Sequence, residues 1–158
     1  MASVTHTVGF SQVENHLFEV QLRITKPAKQ QLLSLPVWIA GSYLIREFSG
    51  QLQGLEALQG RIACPVKQRS KNEWMVSTNG STPLVVRFAV YAFDASVRTA
   101  FLDQTRGFFN PTSLCLRVAG LTGTTQRLVI TKPAQAHCST WRVSTALDPF
   151  AVDASGYG

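Results

Sequence analysis

The chain has 158 residues, 45% hydrophobic and 15% charged, with a net charge of +6 and a pI near 9.7. That length suits one domain able to bury about two-thirds of its unfolded surface, and the composition excludes a disordered chain. No run approaches the roughly 18 apolar residues of a membrane helix, and the start MASVTHTVGFSQVENH lacks the basic and apolar regions of a secretory signal.

In chain order, residues 1–14 read as an N-terminal extension and residues 15–147 as a β-rich domain. From Phe18 to Ile24, the apolar residues Phe18, Val20, Leu22 and Ile24 alternate with Glu19, Gln21 and Arg23. That period of two predicts a strand with one buried face. Leu32–Ile39 is a second apolar run, and Pro36, which donates no ladder hydrogen bond, assigns it to an edge or a bulge. Tyr43–Leu58 fits either a helix, weakened by Gly50 and Gly54, or a loop running into a strand. Glu73–Ser77 predicts a strand with Trp74 and Val76 on one side, and Asn79-Gly80 is a hairpin turn signal. Leu84–Ala92 follows as a nearly continuous apolar strand of central type.

Tyr91–Val118, YAFDASVRTAFLDQTRGFFNPTSLCLRV, is the most informative stretch. About twenty residues separate one strand from the next, where connections have a median of about 4–6. Phe93, Val97, Phe101, Leu102, Phe108 and Phe109 supply too much apolar surface for a disordered segment, so an ordered excursion is predicted. It carries Asp94, Arg98, Asp103 and Arg106, whose alternation favours ion pairs that fix the loop over a pair of catalytic carboxylates. Ser113–Val118 then alternates with Leu114, Leu116 and Val118 inward, and Arg127–Thr131 and Ser139–Val143 read as further strands. Such short strands with frequent turn signals predict an all-β fold, an antiparallel β-sandwich-like domain with one long ordered loop. The tail over 148–158 reads as a hinge toward a further domain.

Catalytic signatures do not assemble. His6, His16 and His137 lie far apart without an HExxH, and His137-Cys138 is better read as a turn histidine beside a buried cysteine than as a metal pair. Ser42 in AGSYL lacks the second glycine of a nucleophile elbow, and Gly120 and Gly123 lack the lysine of a phosphate loop. Three cysteines, Cys64, Cys115 and Cys138, are an odd number without CxxC spacing, which points to a reducing cytoplasm. The basic residues Arg61, Lys67, Arg69 and Lys71 lack interleaved aromatics and read as a solvated face, so no nucleic-acid partner is expected. Trp38, Trp74 and Tyr43 fit core and rim packing first, and sugar stacking second.

Two stretches, LPVWIAGSYLIREFS (Leu35–Ser49) and VYAFDASVRTAFLDQTRGFFNPTSLCLRV (Val90–Val118), resemble the N-terminal domain of the glycyl aminopeptidase family, metallopeptidase family sixty-one. WRVSTALDP (Trp141–Pro149) resembles the end of that domain. Ala40, Pro111 and Cys115 depart from the family pattern, where proline, glycine and an aromatic residue are expected. The resemblance implies a noncatalytic β domain that precedes a zinc domain carrying the HExxH, with a PDZ domain after it. It would pack on the catalytic domain of the same polypeptide and help wall the cleft that takes the peptide substrate. No catalytic or metal-binding residue and no cofactor are then expected in this chain, with zinc in the parent protein. The residues carried over as candidate interdomain or substrate-cleft contacts are Tyr43, Arg46, Asp94, Arg98, Asp103, Arg106 and Asn110. The alternative is a free-standing β-sandwich that binds a carbohydrate or a protein.

Overall fold

The structure is a computed structural model that describes residues 3–132, 135–149 and 156–157. Its larger sheet runs from edge to edge through Gly156–Tyr157 (β13), Gln126–Thr131 (β12), Val4–Gln12 (β1), Leu17–Ile24 (β2), Leu84–Tyr91 (β8), Leu52–Gln59 (β4) and Ile62–Ala63 (β5). The smaller sheet is Arg117–Val118 (β11), Gln30–Ser34 (β3), Glu73–Ser77 (β7) and Val66–Ser70 (β6). All the pairings are antiparallel except β1 with β12. The fold is all-β and sandwich-like. Both sheets supply one core, with Val8, Leu22, Leu84 and Val86 from the first and Leu33, Val76 and Val118 from the second fully buried. Strict alternation along β2 and β8 sets this up, since every second side chain points inward.

Several elements differ from the sequence expectation. Residues 4–12, within the expected extension, form β1, an interior strand with Val4, Val8 and Phe10 in the core. Its alternation is interrupted by a buried polar residue, His6, and by Gly9, which blunts the apolar signal. Tyr43–Leu58 contains no α-helix; a 3₁₀ turn over Phe48–Gln51 leads into β4. The run from Leu32 ends as a strand at Ser34, and β3 is an interior strand, with Pro36 beyond it. Ser139–Val143 forms no strand. Ser113–Val118 is split between a short helix, Pro111–Leu114 (α1), and β11, although Leu114, Leu116 and Val118 are buried as expected. Pro111, one of the family departures, occupies the first helical turn, where its missing N–H removes no intrahelical bond. The hinge expected over 148–158 lies mostly outside the described residues; within it, Gly156–Tyr157 pairs with β12.

Asn79-Gly80 does not close a hairpin. It carries the chain from β7 in one sheet to β8 in the other. The crossover is held by buried Gln59 of β4, whose Nε2 donates to Asn79 Oδ1 (2.9 Å) and Thr82 O (2.6 Å) while its Oε1 accepts from Asn79 N (2.9 Å). Gly80 has φ +76°, and a Cβ there would meet Lys29 Cγ at 3.0 Å, so glycine is required. The local turn chemistry was legible, but its partner strand was chosen by a side chain twenty residues away.

Among the expected packing residues, Trp74 is in the core at 6% exposure, whereas Trp38 and Tyr43 are exposed. Lys67 and Arg69 sit on β6, an edge strand, where charge discourages pairing with a second copy of the chain. The three cysteines are unpaired, and burial pushes the Cys115 thiol up to about 12, leaving it protonated and a poor nucleophile.

His6 is 4% exposed, with Nε2 3.2 Å from Gln126 Oε1 and Nδ1 buried without a partner among the described residues. Burial lowers its pKa below 6.5, because the cation would be poorly solvated there. The unfolded chain therefore binds the proton more readily, and stability is complete above pH 6.5 and falls as the pH drops below it. The slope attributable to one such group is at most about 1.4 kcal/mol per pH unit. Urea midpoints of the native chain and of His6→Leu, taken on both sides of that pH, should show the variant losing less stability on acidification. Parallel pH profiles would assign the acid sensitivity elsewhere.

Candidate functional site

Two segments distant in sequence meet at one cleft. The first, residues 35–47, is a loop wound around Ser42, which is 7% exposed. Ser42 Oγ donates to Leu44 O (2.9 Å) and accepts from Leu44 N and Arg46 Nε (both 3.3 Å). Trp38 Nε1 donates to Ser42 O at 2.8 Å, and Arg46 N to Val37 O at 2.6 Å. With the polar groups turned inward on one another, the apolar side chains are left outside. Tyr43 is fully exposed, and Trp38, Leu44 and Ile45 are 54%, 64% and 73% exposed. Ser42 is thus the loop's organising hydroxyl, a place with no local sequence signal beyond its position after Gly41, whose φ is +81°.

The second segment is the ordered excursion. Ala100–Leu102 (β9) and Gly107–Phe109 (β10) form a small hairpin, fastened to the main sheet through Ala92, whose N–H donates to His16 O (2.8 Å) and whose carbonyl accepts from Leu102 N (2.7 Å). His16 Nδ1 donates to Leu102 O at 2.7 Å, and its ring lies 3.9 Å from that of Phe93. Phe93 continues onto Phe101 at 5.4 Å, and the Arg106 guanidinium lies 5.2 Å from the Phe101 ring. This is a ladder of rings capped by a cation.

Asp103 does not form the expected ion pair; among the described residues, none joins the four charged groups of the excursion. Its Oδ1 instead accepts from Thr105 Oγ1 and Thr105 N (both 2.7 Å) and Arg106 N (2.9 Å), closing the hairpin turn. Those bonds, Thr105 first, hold its carboxyl below the usual carboxylate range. The turn's stabilisation is present above the ordinary aspartate pKa and disappears as the pH falls through the depressed one. Asp103→Asn keeps the shape but weakens the acceptor, and amide exchange at Thr105 and Arg106 should speed up in the variant at neutral pH. Unchanged exchange would show that the turn holds without the carboxylate. Asp94 closes a similar turn by accepting from Ser96 N (2.9 Å), and Asn110 caps α1 by accepting from Thr112 N (3.1 Å) and Thr112 Oγ1 (2.8 Å).

A cleft of about 190 Å³ opens where the segments converge, lined among others by Arg46, Phe48, Tyr91, Phe93, Asp94 and Ser113. Of the seven residues singled out from sequence, it unites Arg46 and Asp94. Tyr43 stands on the exposed crest of the first loop, Arg98 is exposed, Asp103 and Arg106 hold the hairpin, and Asn110 is a cap. Among the described residues, no group of three or more His, Cys, Asp or Glu side chains is placed so as to hold a metal ion. No helix of the described residues is long and apolar enough to cross a membrane.

The fold that joins the two segments is found in other proteins. A family model, Peptidase M61 N-terminal domain, matches residues 5–157. The chain belongs to the Peptidase M61 N-terminal domain family. A solved structure of an aminopeptidase N family protein from Idiomarina loihiensis is similar over 98% of this chain, with 40% identity and a TM-score of 0.91. The match covers 26% of that protein, so the chain spans about a quarter of its length. No curated protein matches. As a Peptidase M61 N-terminal domain, the chain is an N-terminal domain of a peptidase-like protein.

Proposed function

We propose that this chain is the noncatalytic N-terminal β domain of a zinc-dependent, glycyl aminopeptidase-like metallopeptidase. It packs on a catalytic domain of the same polypeptide and helps wall the cleft that takes the peptide substrate. The observation that carries this reading is the crest of Trp38, Tyr43, Leu44 and Ile45, apolar and exposed, on a loop whose polar groups are already satisfied. An ordered apolar crest is what a docking face requires, since inter-domain surfaces typically bury about 600–1,500 Å². Arg46 and Asp94 then lie at its margin as contacts to the partner domain or the substrate, with Arg98, Asp103, Arg106 and Asn110 shaping or flanking the second wall. Zinc belongs to the partner domain in this reading, and no step of the chemistry uses a residue of this chain.

The test is hydrolysis of alanyl and glycyl aminopeptide substrates by this chain and by the longer native protein, with and without chelator. Activity confined to the longer protein and lost on chelation is the expected result. Turnover by the 158-residue chain alone would overturn the noncatalytic assignment. Absence of turnover from both would favour the binding module, for which the exposed Trp38 and Tyr43 offer stacking surfaces.

A further inference from the structure

β6 ends the smaller sheet, paired with β7 on one side and with no strand among the described residues on the other. Ser77 N donates to Pro65 O at 3.0 Å, which makes these two a hydrogen-bonded pair of the antiparallel ladder. Such pairs alternate with pairs whose N–H and C=O groups turn away from each other. Val66 and Gln68, opposite Val76 and Trp74, are of the second kind, so their backbone groups point outward from the sheet edge. Their side chains lie on the core-facing side, with buried Val76 and Trp74, and line a groove of about 340 Å³ between the sheets. Leu52, Gly54 and Leu55 of β4 form its other wall, where β4 bulges between Gln53 and Glu56 and Gly54 presents no side chain.

The charge beside this edge selects among partners. Residues 57–72 carry four cations, Arg61, Lys67, Arg69 and Lys71, and no acid. Lys71 is paired with Glu47 at 2.9 Å, and the next acid along the chain, Glu73, accepts from Ser70 Oγ at 3.4 Å. Lys67 and Arg69 are exposed and form no ion pair among the described residues. Cations on an edge repel a second copy of the same edge and attract an acidic strand. We propose that β6 accepts an extended acidic segment of a partner protein as a fifth strand of the smaller sheet, paired antiparallel with Val66 and Gln68. Every second side chain of that segment, small and uncharged, enters the groove, and the carboxylates between them lie beside Lys67 and Arg69. No residue of β6 lines the Arg46–Asp94 cleft, so the edge stands whether or not the docking reading holds.

The test is a titration of the 158-residue chain with capped eight-residue peptides of alternating threonine and glutamate or threonine and lysine, followed by amide NMR shifts over residues 66–70. The acidic peptide should bind about tenfold more tightly than the basic one, the value of two exposed ion pairs, and the difference should shrink at high salt. Lys67→Glu together with Arg69→Glu, both at exposed positions, should invert that preference. N-methylation of the threonines, whose N–H groups would meet the free carbonyls of Val66 and Gln68, should abolish binding. N-methylation of the glutamates, whose N–H groups would point away from β6, should leave it unchanged. Equal binding of the two peptides, equal sensitivity to the two methylations, tighter binding of a single-stranded oligonucleotide of the same charge, or shifts that map elsewhere would each overturn the proposal. The methylated peptides decide it on the unaltered chain even if the double variant fails to fold.

Discussion

Phe18→Ala should destabilise the domain by about 3–5 kcal/mol, the usual cost of truncating a buried aromatic ring. Phe18 is 2% exposed, and its ring meets Phe109 edge to face at 5.4 Å. Close packing continues on the next contact: a Cβ on Gly107 would lie 3.1 Å from Leu102 Cδ1 and 3.5 Å from Phe18 Cζ. The ring therefore joins β2 to the β9–β10 hairpin, and its loss opens a void while freeing the hairpin on one side. Urea unfolding read by circular dichroism should show a lower midpoint with an unchanged slope. Amide exchange should rise first over residues 100–109. A loss below about 1 kcal/mol would mean that the excursion packs independently of Phe18 and that the void collapses without penalty.

The same contacts explain which parts of the fold were legible in the residues. β2 announces itself because its inward positions are apolar and its outward ones polar, β7 because Trp74 and Val76 fall on one side between Glu73 and Ser77, and β8 because it is apolar almost throughout, with Arg87 as its one charged residue. β1 conceals the same pattern behind His6 and Gly9, since a buried histidine counts as polar in any residue-by-residue reading. Asn79-Gly80 specified a turn correctly, but a turn does not state which sheet receives the next strand; Gln59 supplies that information through long-range hydrogen bonds. Leu114, Leu116 and Val118 were correctly inward, yet the Asn110 cap and Pro111 wind the first part of that run into a helical turn.

The site was legible to a different degree. That Tyr91–Val118 is ordered followed from its aromatic content, and the stack from His16 through Phe93 to Phe101 bears this out. How it is ordered did not follow. Alternating charges suggested ion pairs, whereas Asp94, Asp103 and Asn110 each accept backbone N–H groups two or three residues ahead. Short polar side chains satisfy the local backbone at little entropic cost, while an exposed ion pair must immobilise two long side chains for less than about 1 kcal/mol. Arg106 is accordingly left to stack on Phe101. The placing of Arg46 and Asp94 on one cleft depends on the tertiary arrangement of two loops, which no spacing rule reaches.

Tyr43→Ala separates the two meanings that an exposed apolar crest can have. In the isolated domain Tyr43 is fully exposed, so its removal should change stability by no more than about 0.5 kcal/mol. In the longer native protein the proposed docking face buries the ring at an interface, where truncating an aromatic anchor costs about 2–4 kcal/mol. The Ser42 network keeps the loop in shape in either case, because its hydrogen bonds join Trp38, Ser42, Leu44 and Arg46 without the Tyr43 side chain. A docking equilibrium should therefore weaken about thirtyfold or more, since 1.4 kcal/mol corresponds to a factor of ten. Limited proteolysis of the longer protein should show faster cleavage between the domains in the variant, with the β domain itself equally resistant. Ile45→Ala, removing a second side chain of the same crest, should act in the same direction by a smaller amount. Equal proteolysis of native and variant forms would place the crest in solvent in the whole protein and transfer its role to ligand stacking. Destabilisation of the isolated domain by Tyr43→Ala would instead make the ring part of the fold, and the docking assignment would lose its basis.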